Sequence, residues 1–117
     1  MRLRWAEASI ALGRDRPREG EALLREVQRA FLEKEMGYDA ALVSLDLAIL
    51  YAQEGRTAEL KRLAVEIMPA FESREVHREA MAALLMFQQA CEEERLTVQL
   101  ARQIAAFLKR ERIGRGV

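Results

Sequence analysis

The apolar residues of this chain recur at intervals of three and four positions, which is the spacing of one face of an α-helix. One such run comprises Leu60, Leu63, Ala64, Ile67 and Phe71. No stretch shows the strict alternation that is typical of a half-buried β-strand. The pattern therefore predicts six helices, over residues 2–12, 18–35, 38–53, 57–74, 77–93 and 96–112.

The third predicted helix differs from the others because apolar residues lie on nearly all of its sides. These positions are Leu42, Val43, Leu45, Leu47, Ala48, Ile49, Leu50, Tyr51 and Ala52. A helix that is apolar nearly all round is buried on several sides rather than on one. We therefore expect the segment 38–53 to lie in the middle of the fold.

Glycine, proline and threonine mark the ends of the predicted helices. Gly13 and Gly55 each follow an apolar run, where the left-handed conformation that ends many helices is easiest for glycine. Pro17 suits the first turn of the second helix, where a missing backbone N–H costs nothing. Thr57 has the position of an N-cap, and Gly37 separates the second helix from the third.

Pro69 conflicts with the helix that is predicted over 57–74. A proline inside a helix removes one backbone hydrogen bond and crowds the carbonyl of the residue four positions earlier, here Val65. The cost is about 3 kcal/mol in a helix that does not adjust. We expect either a kink at this point or an early end of the helix followed by a restart.

The chain contains an internal repeat with an offset of 40 residues. An ungapped alignment brings Phe31 onto Phe71, and we expect the two rings to occupy equivalent buried positions. Further along, Leu45 meets Leu85 in the same register, or Leu84 if the register slips by one residue. Repetition at a period of this length is typical of stacked helical units.

Short predicted connections make consecutive helices pack antiparallel, and one hairpin cannot bury its apolar faces alone. The sequence therefore predicts an all-α fold, an α-solenoid of three antiparallel helix–turn–helix hairpins at about 2–35, 38–74 and 77–112, with a tail at 113–117. A length of 117 residues, 50% hydrophobic and 32% charged, fits a single globular domain over 1–117.

The segment 37–64, with its small Ala48, aromatic Tyr51 and turn glycine Gly55, carries a family resemblance. It resembles the tetratricopeptide-like C-terminal regions of certain large bacterial regulators and signalling proteins. The resemblance implies a non-enzymatic helical scaffold of bacterial origin. This sequence departs from the repeat pattern at Ser44, where tryptophan is preferred, and at Glu94, which replaces a turn glycine.

The charge and apolar content exclude several classes of protein. Nineteen Lys and Arg residues balance nineteen Asp and Glu residues, so a general nucleic-acid binder lacks its usual basic surplus. No run approaches the roughly 20 apolar residues of a membrane span, and the N-terminus lacks the apolar stretch of a signal peptide. A single cysteine fits a reducing compartment. We expect a cytoplasmic protein that binds neither nucleic acid nor membrane.

Residues for catalysis or metal binding are few. His77 and Cys91 lie fourteen residues apart on one predicted helix, which is about 21 Å and too far for a catalytic dyad. Two such residues cannot supply a tetrahedral zinc site. We interpret His77 as a helix-start residue and Cys91 as a small packing residue. The sequence predicts no enzyme activity, metal or cofactor.

The remaining candidates for function are apolar side chains on the inner face and at the two ends of the predicted stack. A clamp for a C-terminal carboxylate is not expected, because such repeats generally use Asn and this chain has none. Met86 is interpreted as core filling. The candidate interaction surface comprises Leu3, Trp5, Leu42, Leu45, Ile49, Met81, Leu84, Ile104, Phe107 and Leu108.

These patterns favour a non-catalytic protein–protein interaction scaffold that self-associates through its open ends. Ends that meet head to tail build a ring or a filament, whereas an end that meets itself gives a closed dimer. The alternative is a regulatory or adaptor arm of a larger bacterial signalling protein or transcriptional regulator, which would bind an amphipathic helix or a peptide in an apolar groove.

Overall fold

Helices joined by short turns make up the described part of a computed structural model, which comprises residues 2–71, 76 and 78–115, with side chains at 3–69, 76 and 78–111. The helices are α1 (Arg2–Gly13), α2 (Pro17–Glu33), α3 (Gly37–Gln53), α4 (Thr57–Glu66), α5 (Met68–Phe71), α6 (Arg78–Glu92) and α7 (Val98–Arg115). No strand occurs in these residues. The prediction of an all-α fold is confirmed.

At Pro69 the predicted helix divides into two. Helix α4 ends at Glu66, Ile67 forms a turn, and the single-turn helix α5 begins at Met68. Pro69 therefore lies in the first turn of α5, where its missing N–H has no partner to lose. The early end and restart is one of the two outcomes that the sequence led us to expect.

Four of the turns have the same backbone geometry. Each contains a residue of positive φ, at Asp15, Glu35, Gly55 and Glu94, with φ of 59°, 55°, 67° and 57°. In each turn the N–H of the next residue donates to the carbonyl five positions back, at 2.8–2.9 Å. The N–H of the left-handed residue itself donates to the carbonyl three positions back, at 3.1–3.3 Å. This pair of bonds is the Schellman motif, which satisfies carbonyls at the helix C-terminus.

Three of the predicted helix ends are corrected by this geometry, and two are confirmed. Gly55 is left-handed as expected, but Gly13 is the last residue of α1 and the left-handed residue comes two positions later. Gly37 is the first residue of α3 and not the break before it. Thr57 is the first residue of α4, preceded by Arg56 without a side-chain cap. Pro17 begins α2, as predicted.

Helix α3 lies at the centre of the fold, in contact with α2, α4, α5 and α7. Helix α4 also contacts α6, and α6 contacts α7, so α3, α4, α6 and α7 close a ring of four helices. Helix α2 packs on α3 outside this ring, and α1 packs on α2. The expectation that the third helix is buried on several sides is confirmed.

The burial of the core distinguishes the two alignments of the internal repeat. Leu45 and Leu84 are both fully buried, whereas Leu85 is 49% exposed. At this position the alignment that slips by one residue therefore describes the packing, whereas the ungapped pairs Leu24 with Ala64 and Val27 with Ile67 are buried together. Phe31 is buried as predicted, and the side chain of Phe71 lies outside the described residues.

A buried polar bridge joins α2 to α3. Ser44 donates to the carbonyl of Ala40 at 2.7 Å and accepts a hydrogen bond from Gln28 Nε2 at 3.0 Å. Both side chains are almost fully buried. Buried polar groups are tolerated when they are hydrogen-bonded, which explains how Gln28 and Ser44 fit inside the fold.

Helix α1 packs tightly against α2 at Gly20. A Cβ at this position would lie 2.6 Å from both Cγ and Cδ2 of Leu12, and 3.4 Å from the carbonyl oxygen of Ala8. Glycine is therefore required by space rather than by backbone conformation, since Gly20 is an ordinary helical residue within α2.

Candidate interaction surfaces

Half of the candidate interaction residues lie in the core. Each of these five side chains is no more than 4% exposed; they are Leu42, Leu45, Leu84, Ile104 and Leu108. Their burial follows from the central position of α3 and from the packing of α7 on it. Leu42, Leu45, Leu84 and Leu108 are therefore core residues and not surface candidates. Ile104 is nearly buried as well, but it also lines the groove between α6 and α7 that is described below.

Trp5 is half-buried and joins α1 to the centre of the fold. Its indole Nε1 donates to Asp46 Oδ2 on α3 at 2.7 Å. Its ring packs edge-on against Phe31, with the centroids 5.7 Å apart. Burial raises the pKa of Asp46, and the indole hydrogen bond and the charge of Lys109 oppose that rise. Trp5 therefore anchors α1 to α3 rather than offering an open contact surface.

The outer face of α1 exposes an apolar stripe. Leu3 is 76% exposed and Ile10 is 55% exposed, and the exposed Ala6 lies between them. Residues three and four positions apart share one helix face, so these three side chains line up along two turns. We call Leu3, Ala6 and Ile10 the α1 stripe. Of these three residues, only Leu3 is among the ten candidate interaction residues.

A second apolar surface lies between α6 and α7. It is a groove of about 320 Å³ lined by Glu79, Ala82, Ala83, Met86, Leu100, Gln103, Ile104 and Phe107. We call this set the α6–α7 groove. Met86 is 55% exposed, so its interpretation as core filling is wrong. Phe107 lines the groove as a half-buried side chain.

The last two candidates, Ile49 and Met81, are half-buried and pack against the core. Ile49 lines a separate hollow beside the end of α1, together with Leu12 and Asp46. Neither residue lines the α6–α7 groove. The structure therefore brings together only Ile104 and Phe107 of the ten predicted residues at that groove.

An arginine network around Tyr51 was not predicted. The guanidinium of Arg56 lies 4.6 Å from the centre of the Tyr51 ring, and that of Arg25 lies 5.6 Å from it. Arg56 binds both carboxylate oxygens of Glu21, at 2.8 and 3.0 Å, and Arg25 binds both of Glu66, at 2.6 and 2.7 Å. Cation–π contacts and bidentate ion pairs of this kind stabilise each other in a partly buried setting.

The network has a clear electrostatic effect on Glu21. The hydrogen bonds and positive charge of Arg56 hold the pKa of Glu21 below its usual range. The Tyr51 hydroxyl also donates to Glu21, at 3.2 Å. A sequence signal for this cluster exists in the Glu21 and Arg25 spacing of four on α2. The partners on α3 and α4, however, are known only from the fold.

Of the two residues considered for catalysis, the structure describes only Cys91. Cys91 is 1% exposed, and burial raises the pKa of its thiol to about 12. The thiol therefore stays protonated at neutral pH and is a poor nucleophile. His77 lies outside the described residues. Within the described residues, no three or more His, Cys, Asp or Glu side chains are grouped so as to hold a metal ion.

None of the described helices combines the length and apolar character that crossing a membrane requires. Comparison with known proteins gives no further guide to function. The chain matches no protein-family model, no curated protein and no solved structure.

Proposed function

We propose that this chain is a non-catalytic protein–protein interaction module that self-associates, with the α1 stripe of one copy seated in the α6–α7 groove of the next. The observation that carries the proposal is the pair of exposed apolar surfaces on different helices. Leu3 and Ile10 are largely exposed on α1, and Met86 is largely exposed beside the groove. Exposed apolar groups that lie together often mark contact sites.

The shapes of the two surfaces are compatible. A helix binds in an apolar groove through side chains at positions i, i+3 and i+7, and Leu3, Ala6 and Ile10 have that spacing. The α6–α7 groove lies between two helices and is lined mainly by apolar atoms. A contact between two different surfaces is heterologous, so copies joined in this way build a ring or an open filament.

The proposal includes a tetratricopeptide-like organisation of three hairpins. The repeat of 40 residues and the Schellman turns at Asp15, Glu35, Gly55 and Glu94 support it. Successive left-handed residues lie 20 residues apart up to Gly55, and Glu94 follows Gly55 after 39. One helix and one turn thus make up about half of each repeat.

Sedimentation velocity at micromolar concentration tests the self-association. We expect the native chain to sediment faster than a monomer. Leu3→Glu with Ile10→Glu removes the α1 stripe, and Ala82→Glu with Met86→Glu removes the groove. All four residues are exposed, so the variants are expected to fold, and each is expected to stop growth of the assembly.

Mixing the two double variants distinguishes a head-to-tail contact from other modes. Each variant keeps one intact surface, so the mixture is expected to form a heterodimer although neither variant assembles alone. Val65→Glu with Met68→Glu is the matched control, because both residues are exposed apolar side chains outside the two surfaces. A native chain that stays monomeric throughout, or a control that dissociates the assembly equally, contradicts the proposal.

A second function, an adaptor that binds an amphipathic helix of another protein, is favoured by the same groove between two helices. This function predicts that substitutions in the groove and in the α1 stripe have different effects. Changes at Ala82 and Met86 would then abolish binding of the partner helix, whereas changes at Leu3 and Ile10 would have no effect. Binding of a Leu-rich amphipathic peptide by a strictly monomeric chain would favour this function over self-association.

A further inference from the structure

A groove distinct from both apolar surfaces runs between α2 and α4. It has a volume of about 440 Å³ and is open to solvent. Arg25, Arg29 and Leu32 belong to its α2 wall, and Arg56 and Arg62 to its α4 wall. We call it the α2–α4 groove. Its size is within the range of ligand sites, about 300–1,000 Å³.

The groove contains four arginines, and two of them have no partner among the residues that the structure describes. Glu21 is bound by Arg56, and Glu66 is bound by Arg25. The third carboxylate, Glu59, lies 3.8 Å from Arg56 Nε. Within the described residues, no hydrogen bond or ion pair engages Arg29 or Arg62, which are both exposed.

The paired arginines give the groove a fixed framework. Arg25 and Arg56 are each bound to a carboxylate across the groove and lie over the Tyr51 ring. They therefore hold α2 and α4 at a set separation, with Arg29 and Arg62 on facing walls. A guanidinium group binds a carboxylate by donating two parallel hydrogen bonds. Arg29 and Arg62 can therefore bind two carboxylates of one ligand.

We propose that the α2–α4 groove binds an acidic segment of a protein, with carboxylates on Arg29 and Arg62 and an apolar side chain against Leu32. An open groove suits an extended chain better than a small molecule, which is usually enclosed on most sides. Glu21, Glu59 and Glu66 on the walls disfavour a nucleic acid, because its continuous phosphate backbone would meet them. This site is independent of the self-association proposed above.

Fluorescence anisotropy tests the proposal with a labelled peptide in which Glu alternates with Leu. The same peptide with Gln in place of Glu is the ligand control. We expect the native chain to bind the Glu peptide and not the Gln peptide. Arg29→Gln with Arg62→Gln is expected to weaken binding about tenfold, which corresponds to the loss of two partly exposed charge pairs.

Arg102→Gln with Arg110→Gln is the matched protein control. It removes the same charge from exposed positions on α7, and it is expected to change the affinity by less than about twofold. Equal weakening by both double variants would show general charge attraction and overturn the proposal. Equal binding of the Glu and Gln peptides, or no binding by a chain whose circular dichroism is native, would overturn it as well.

Discussion

Two glycines illustrate how space around a single residue decides its role. A Cβ at Gly13 meets nothing within 4 Å, whereas a Cβ at Gly20 meets Leu12 at 2.6 Å. From the sequence we predicted a left-handed helix end at Gly13, and we predicted no role for Gly20. The difference arises because Gly20 lies where α1 packs tightly against α2, and that contact depends on how the two helices pair.

This contrast predicts opposite effects of alanine at the two positions. Gly13→Ala is expected to raise the free energy of unfolding by about 0.5 kcal/mol, because alanine restricts the unfolded chain and favours helix. Gly20→Ala is expected to lower it by about 1 kcal/mol, because overpacking against Leu12 outweighs the same gain. Urea denaturation of both variants measures the difference, and a stabilised Gly20→Ala would mean that α1 moves away without cost.

At the scale of elements, the chain ends four of its helices with one motif but uses glycine in only one of them. Asp15, Glu35 and Glu94 adopt a left-handed conformation that costs a residue with a Cβ roughly 1–2 kcal/mol. The i→i−5 hydrogen bond at each turn, 2.8–2.9 Å long, helps to hold it. A search for turn glycines therefore found one of the four positions.

These turns give a prediction in two directions. Asp15→Gly is expected to raise the free energy of unfolding by about 0.5 kcal/mol, since it relieves the left-handed strain of an exposed residue. Gly55→Ala is expected to lower it by about 1 kcal/mol for the converse reason. Thermal unfolding of both variants checks the pair. A higher free energy of unfolding for Gly55→Ala would contradict the assignment of backbone strain to these turns.

The helices could be predicted from sequence to a large extent because their signals are local. Apolar spacing indicated the helices, and Pro69 indicated either a kink or the break that separates α4 from α5. The contact of α7 with α3, two helices far apart in the sequence, could not be predicted, because the apolar face of α7 does not specify which helix covers it. That face packs on α3 and buries Ile104 and Leu108. For this reason the sequence placed core residues on the candidate interaction surface.

At the scale of the whole molecule, the ring of α3, α4, α6 and α7 makes the chain compact. The radius of gyration of 13.1 Å is close to the roughly 13 Å expected for a compact chain of this length. The dimensions are 35 × 33 × 22 Å. Asp46 on α3 connects α1 to this ring, since it accepts a hydrogen bond from Trp5. The charge of Lys109, on α7 within the ring, also acts on the Asp46 carboxylate.

The position of Asp46 predicts a dependence of stability on pH. Its pKa in the folded state is raised mainly by burial, above the unfolded value of about 3.9. The folded state therefore binds the proton more tightly, so the contribution of Asp46 to stability is greatest below its unfolded pKa. That contribution declines as the pH rises through the folded pKa.

Asp46→Asn removes this titration while leaving an oxygen that can accept from Trp5. We expect the variant to be more stable than the native chain at neutral pH, with a difference that shrinks on acidification. Urea denaturation of both chains at several acidic pH values measures the difference between their free energies of unfolding. Other carboxylates titrate in both chains, so their contributions cancel in this difference. A variant that is less stable at neutral pH would show that the attraction of Lys109 outweighs burial.

Trp5 is the only tryptophan of the chain, and it lies at the contact between α1 and α3. Its near-ultraviolet emission is therefore a built-in optical reporter of that contact. Detachment of the first helix would carry the indole from Asp46 and Phe31 into water and shift its emission to the red. The helical content, by contrast, would barely change. The two signals would thus separate fraying of the first helix from loss of the whole fold, without any added label.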